Sequence, residues 1–205
     1  TGMAADGAIS GLWNWGFTAI NTSNAVIKYA PLCGMSEENV KKVIAEAKYL
    51  RATWYFLIVQ TFGECPVNLD FIQEPSTEAY RDPVSEVYDA IVADLTEATQ
   101  VLPPQADEPG RVDAAAAHHL LAKVYLTRAT TTGANAASDY QQAYNHAMEL
   151  INNKGMYGLE LEQDFAKVFE PRNEYGPEVI FTVERNTDIL YNDAEIGRAS
   201  CRERV

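Results

Sequence analysis

Residues 49–70 read YLRATWYFLIVQTFGECPVNLD. From Trp54 to Thr61 only Gln60 is strongly polar, a single Arg51 precedes the run, and Gly63 and Pro66 follow it. The run is too short to cross a bilayer as a helix, which needs about 20 apolar residues. A helix apolar nearly all round and too short to span lipid must pack against protein on most sides.

Working outward, Ser36 is placed to cap this helix, with Glu37 and Glu38 in its first turn, where the helix dipole favours acids. Val40, Val43, Ile44, Ala47, Leu50, Trp54, Ile58 and Thr61 form one i, i+3/i+4 stripe. Tyr55, Phe56, Val59 and Phe62 form a second beside it. Two stripes predict two packing partners, so the helix is central. Gly63 suits the left-handed C′ position, and Pro66 cannot continue a helix. Gly63, Pro66 and Trp54 are therefore read as structural.

Before this helix, Leu12, Trp15, Ala19, Val26 and Tyr29 keep helical spacing as far as Pro31. After it, Asp82 and Pro83 predict a cap and an N1 proline. Val84, Val87, Tyr88, Ile91, Leu95, Ala98 and Leu102 then make an amphipathic helix ended by Pro103 and Pro104. An alanine-rich helix follows from about Asp113 to Arg128. After a loop, Ser138 or Asp139 is read as the cap of a further helix through Tyr140, Ala143, Tyr144, Ala147 and Ile151. Phe165, Val168 and Phe169 predict a short helical turn, and EVIFTV over 178–183 alternates like a strand. The last two long helices have the chemistry of a tetratricopeptide-like hairpin, and the Val40–Phe62 and Val84–Leu102 helices could make another. The fold class is mainly α, helical hairpins with a small β element near the C-terminal end.

The 205 residues are 47% apolar and carry a net charge of −13. Such a surface repels phosphate backbones and anionic membrane faces, and no basic stripe interrupts it. Cys33, Cys65 and Cys201 have no zinc-ligand spacing. Cys33 and Cys65 flank opposite ends of the central helix, roughly 40 Å apart at 1.5 Å per residue, too far for a disulfide. His118 and His119 point about 100° apart on a helix, so they cannot share a metal. No HExxH, P-loop, GxSxG or GxGxxG occurs. No metal, cofactor or catalytic residue is expected. Glycoside hydrolysis needs two carboxylates at a set separation, but an acidic helical chain offers many pairs and the sequence singles out none.

Arg51 sits in the apolar helix, where an unpaired guanidinium is costly. The reading is a structural pair with a carboxylate, Asp94 being one candidate, or with helix-end carbonyls; contact with a ligand is the alternative. Trp13 and Trp15 are the candidate ligand-binding residues, as platforms for stacking against sugar rings. At i, i+2 at most one of them faces the core, and packing is the competing role for either.

The order of motifs resembles the SusD/RagB family. EAKYLRATWYFLIVQTFGECPV is similar to its Leu-Arg-Ala-aromatic helix leading to Phe-Gly and proline. VSEVYDAIVADLTEA, GRVDAAAAHHLLAKVYL, DYQQAYNHAMELINNKGMYGL and PEVIFTVE then resemble its following marks in register. The resemblance runs from about Trp13 to Glu184. It implies an incomplete SusD-like fold from a nutrient-uptake lipoprotein of the outer membrane of Bacteroidota-type bacteria. Such proteins sit at the cell surface on a TonB-dependent SusC-like transporter and capture glycans or other nutrients for import, without catalysis. A generic tetratricopeptide-like scaffold for protein partners is the alternative. The expected organisation is an N-terminal helical portion over 1–193 and a non-native read-through tail over 194–205, where AEIGRASCRERV brings Arg198, Arg202 and Arg204 into an acidic chain. The family's lipidated cysteine would lie upstream, and its ligand contacts mostly outside these residues.

Overall fold

The structure is a computed structural model that describes residues 7–74, 80–131, 135–170 and 173–183. Helices α1 (Gly7–Tyr29), α2 (Glu37–Phe62), α3 (Val84–Val101), α4 (Ala114–Thr131) and α5 (Ala136–Asn152) follow one another, and a 3-10 turn spans Phe165–Phe169. Each helix packs on its neighbour in sequence. The fold is mainly α, as the hydrophobic spacing predicts.

Contacts between successive helices run in opposite order along the two helices of each pair. Trp13 meets Phe62 and Phe17 meets Tyr55; Arg51 meets Asp94 and Phe56 meets Tyr88; His118 meets His146 and Arg128 meets Asp139. The first, second and last pairs of helices are thus antiparallel hairpins. α2 lies between α1 and α3, which explains its two apolar stripes. Tyr55, Ile58, Ala52, Val87, Ile91, Leu95, Leu121 and Val124 are fully or almost fully withdrawn from solvent. Gly16 lets α1 approach closely: a Cβ there would come within 2.8 Å of Ile58 Cδ1. Ala114 to Ala117 are all buried, giving α4 a smooth surface for the same purpose.

Ser36 caps α2 by accepting from the Asn39 N–H at 3.3 Å. Gly63 ends it at the C-cap position rather than C′, with φ 75° and ψ −129°, which is not the left-handed helical state expected but one open to glycine alone at low cost. Its N–H donates to the Val59 carbonyl at 3.0 Å. Pro66, half-buried, lies just past this bend. Trp54 is half-buried beside Gly16. Cys33 is exposed and Cys65 buried, both as free thiols.

Several expectations need correction. α1 turns Trp13, Phe17, Ile20 and Asn24 inward, and Trp15 and Tyr29 outward; the inward set includes an asparagine, which spacing of apolar residues passes over. Leu50 and Thr61 of α2 are exposed, on a side that no other described helix covers. Pro83 occupies the N-cap position of α3 rather than N1. Asp82 is engaged elsewhere, in a bridge to Cys65. α5 starts earlier than Ser138, with Asn135 at its N-cap, and Asp139 is buried inside the first turn on Arg128. Tyr140, Tyr144 and Ile151 lie on the exposed side of α5. Residues 178–183 form no strand among the described residues. Ile180 and Phe181 lie on the core instead, Phe181 edge-on to Tyr49. Glu184, Cys201 and the proposed tail fall outside the described residues.

Candidate functional site: a strap latched to the first hairpin

The α2–α3 connection returns along the first hairpin, and polar side chains from the helices hold it there. Arg51 lies at the centre of this arrangement and is only 4% exposed. Its Nε donates to Asp94 Oδ2 at 2.8 Å and its Nη2 to Asp94 Oδ1 at 2.7 Å. Asp94 is thus its carboxylate partner, in the two-pronged geometry that a planar guanidinium favours. Nη1 is turned the other way. It donates to Asn24 Oδ1 at 2.7 Å and to the Leu69 carbonyl at 3.0 Å.

Asn24 completes the contact. With its oxygen committed to Arg51, its Nδ2 donates to the carbonyls of Asn68 and Asp70, each at 3.0 Å. One turn earlier Asn21 pairs with Ile72 in both directions: Nδ2 donates to the Ile72 carbonyl at 3.0 Å, and Oδ1 accepts from its N–H at 2.9 Å. The Tyr55 hydroxyl does the same for Asn68, donating to its carbonyl at 3.0 Å and accepting from its N–H at 2.7 Å. Burial holds the Tyr55 phenol well above its ordinary pKa, against the opposing backbone hydrogen bond with Asn68, so it stays a neutral donor and acceptor. Asp82 accepts from the Val67 N–H at 2.7 Å. The strap from Val67 to Ile72 has no helix or ladder of its own, yet side chains satisfy its backbone as burial demands.

Between this strap and α1 lies a cleft of about 640 Å³ lined by Trp13, Asn14, Phe17, Thr18, Asn21, Asn68, Phe71 and neighbouring residues. Trp13 is half-buried there, 4.6 Å from the Phe17 ring and edge-on to Phe62 at 5.1 Å. Trp15 does not line the cleft. It is 66% exposed, with its indole laid over Gly11. Of the two tryptophans one therefore faces inward and the other solvent. Sequence reasoning missed Asn21, Asn24 and the strap. The signal was present as Asn14, Thr18 and Asn21, spaced i, i+4, i+7 beside the inward stripe of Trp13, Phe17, Ile20 and Asn24.

The described residues hold no group of three histidine, cysteine or acidic side chains fit for a metal. None of their helices is long and apolar enough to cross a membrane.

An antiparallel stack of helices whose interhelix connection is latched by a buried arginine defines a helical scaffold protein. A family model described as "Starch-binding associating with outer membrane" matches residues 3–126, and the chain belongs to this SusD-like family. It is 33% identical over 183 residues to SusD-like protein P2 of Formosa agariphila, covering 87% of this chain and 34% of that protein. Among solved structures it is similar to one determined with a xylogluco-oligosaccharide, at TM-score 0.75 and 28% identity over 86% of this chain and 35% of the other. A laminarin-binding SusD-like protein matches at TM-score 0.73 and 27% identity, over 83% of this chain and 36% of the other. The chain spans about a third of the length of the relatives it matches.

Proposed function

We propose that this chain is the helical scaffold portion of a cell-surface protein that captures glycans. In this reading the glycan is delivered to a TonB-dependent SusC-like outer-membrane transporter, with a lipid anchor holding the protein at the surface. The observation that carries the proposal is the likeness, over 86% of the chain, to a protein whose structure was determined with a xylogluco-oligosaccharide. The location is supported by the family description, which names association with the outer membrane. The reading contains no catalytic step.

The test is genetic and biochemical. Deleting the gene should abolish growth on a particular polysaccharide while leaving growth on its monosaccharide intact. Tagged protein isolated from gently solubilised outer membranes should bring down a large β-barrel transporter. Unimpaired growth on every polysaccharide tried, with soluble peptides or proteins captured instead of a barrel, would favour a generic helical interaction scaffold and overturn the proposal.

A further inference from the structure

The cleft between α1 and the strap differs in its lining from the second cavity of the molecule. In a chain of net charge −13, no Asp, Glu, Lys or Arg is among the described residues that line it; Lys28 stands beside the wall, its Nζ 5.8 Å from the Phe71 ring centroid. The second cavity, about 240 Å³, is by contrast walled partly by Asp107, Glu108, Arg111 and Asp113. A partly desolvated cleft with no charged side chain in its described lining offers little to offset the desolvation of an ionic ligand. The ligand class it suits is uncharged.

Its walls are also of two chemical kinds. Trp13, Phe17 and Phe71 supply ring surface, which suits the C–H faces of a pyranose and costs little entropy to order. The polar side has a definite polarity. The Thr18 hydroxyl donates to the Asn14 carbonyl at 2.8 Å, and the Thr22 hydroxyl donates to the Thr18 carbonyl at 2.9 Å. With their protons spent on the helix, both oxygens can offer lone pairs to a ligand. The exposed Asn14 amide provides a donor and an acceptor together. Two acceptors and an amide along one helix face match a row of sugar hydroxyls, each of which both donates and accepts. The volume lies within the roughly 300–1,000 Å³ usual for small-molecule sites, and the latched strap fixes one wall before any ligand arrives.

We infer that this cleft is a binding subsite for a neutral pyranose unit, with Trp13 and Phe71 as ring surface and Asn14 as the principal hydrogen-bonding side chain. The inference deepens the proposed function and rests on the chain being a glycan binder. Asn21 and Asn24 act through the strap and are positioning residues.

The test is calorimetric titration of the 205-residue chain with maltohexaose, laminarihexaose and a xyloglucan heptasaccharide, and with hexagalacturonate as an anionic probe of like size. At least one neutral oligosaccharide should bind, and hexagalacturonate should not. Asn14→Ala and Phe71→Leu should each weaken the neutral ligand at least tenfold without lowering the melting temperature by more than a few degrees. Trp15→Ala, outside the cleft, should bind as wild type does. Binding that survives both cleft substitutions, or that depends on Trp15 alone, overturns the subsite and leaves glycan capture standing. Failure of every neutral oligosaccharide to bind the chain also overturns it, and the growth phenotype then decides the wider reading separately.

Discussion

The guanidinium of Arg51 on α2 and the carboxylate of Asp94 on α3 meet through two parallel hydrogen bonds of 2.8 and 2.7 Å, with both side chains almost wholly buried. The same guanidinium reaches across α2 to Asn24 and to the Leu69 carbonyl. One side chain therefore joins α1, α2, α3 and the strap.

Breaking one half of that pair should be expensive. Arg51→Met leaves the Asp94 carboxylate buried without its partner and frees the Leu69 carbonyl, and should cost about 3–5 kcal/mol. The double variant Arg51→Met/Asp94→Leu should recover a substantial part of the loss, since no charge is then stranded. Urea unfolding of the three proteins measures this. If Arg51→Met kept wild-type stability but lost ligand binding, the arginine would be a ligand contact and not a latch.

Gly16 should tolerate no branched side chain. Its added Cβ would sit 2.8 Å from Ile58 Cδ1 and 3.2 Å from Ile58 Cγ1, and Ile58 is fully buried. Gly16→Val should destabilise by about 1–3 kcal/mol through overpacking, despite the better helix propensity of valine. Pairing it with Ile58→Ala, which opens the space, should give less destabilisation than the two single losses added together. Simple additivity in a double-mutant cycle would contradict this close contact.

The α4–α5 hairpin should weaken in acid. His118 Nδ1 and His146 Nδ1 are 2.9 Å apart, so one ring must donate and the other offer its lone pair. Tyr125 stacks on His146, Tyr157 stands edge-on to His118, and Glu149 lies close to both histidines. Burial pushes both imidazoles below their ordinary pKa; at His146 the neighbouring His118 adds to it, and Glu149 opposes the shift in both. The folded state thus holds protons less tightly than the unfolded one. The stabilisation is complete above about pH 6.5 and declines as pH falls below it, through the lower folded values. A first proton can be carried on a free Nε2 with the contact intact. A second must take the bonded lone pair and break it. The melting temperature should therefore drop between pH 7.5 and 5. His146→Phe, which keeps the stack on Tyr125, should flatten that slope; His119, also held low mainly by burial, leaves a residual one. An unchanged slope in His146→Phe would contradict the pairing.

The two described cysteines should differ sharply in reactivity. Cys33 is exposed, whereas Cys65 is buried and its thiol is raised to about 11, first by burial and then by Asp82. Iodoacetamide at pH 8 should label Cys33 in the native protein and Cys65 only after unfolding. Rapid native labelling of Cys65, or a Cys33–Cys65 crosslink in the mass spectrum, would mean that α2 does not hold them apart.

Much of the fold was legible because burial in helices leaves a periodic trace. The two stripes of α2 follow from apolar spacing, the Ser36 cap and the Gly63 stop from the local chemistry of helix ends, and a partner for Arg51, with Asp94 as one candidate, from the cost of a lone buried charge. The strap was not legible in this way. Its order comes from Asn21, Asn24 and Tyr55, whose polar atoms hold backbone 13 to 51 residues distant, and local patterns carry no record of such partners. The alternation of 178–183 likewise signals two differing faces, and an extended segment lying on the core satisfies that without a strand partner. Asp82 and Asp139 were read as caps because their type and position fit. Their carboxylates are used by Val67 N–H and Arg128, which only the tertiary structure brings near.

The most direct measurement is hydrogen–deuterium exchange of the chain with and without a saturating neutral oligosaccharide. The account expects added protection confined to the amides of Asn68 and Ile72 in the strap and to the first turns of α1 around Asn14. Added protection at 105–113 with no change along the strap, or saturated binding that alters neither the strap nor α1, would contradict it.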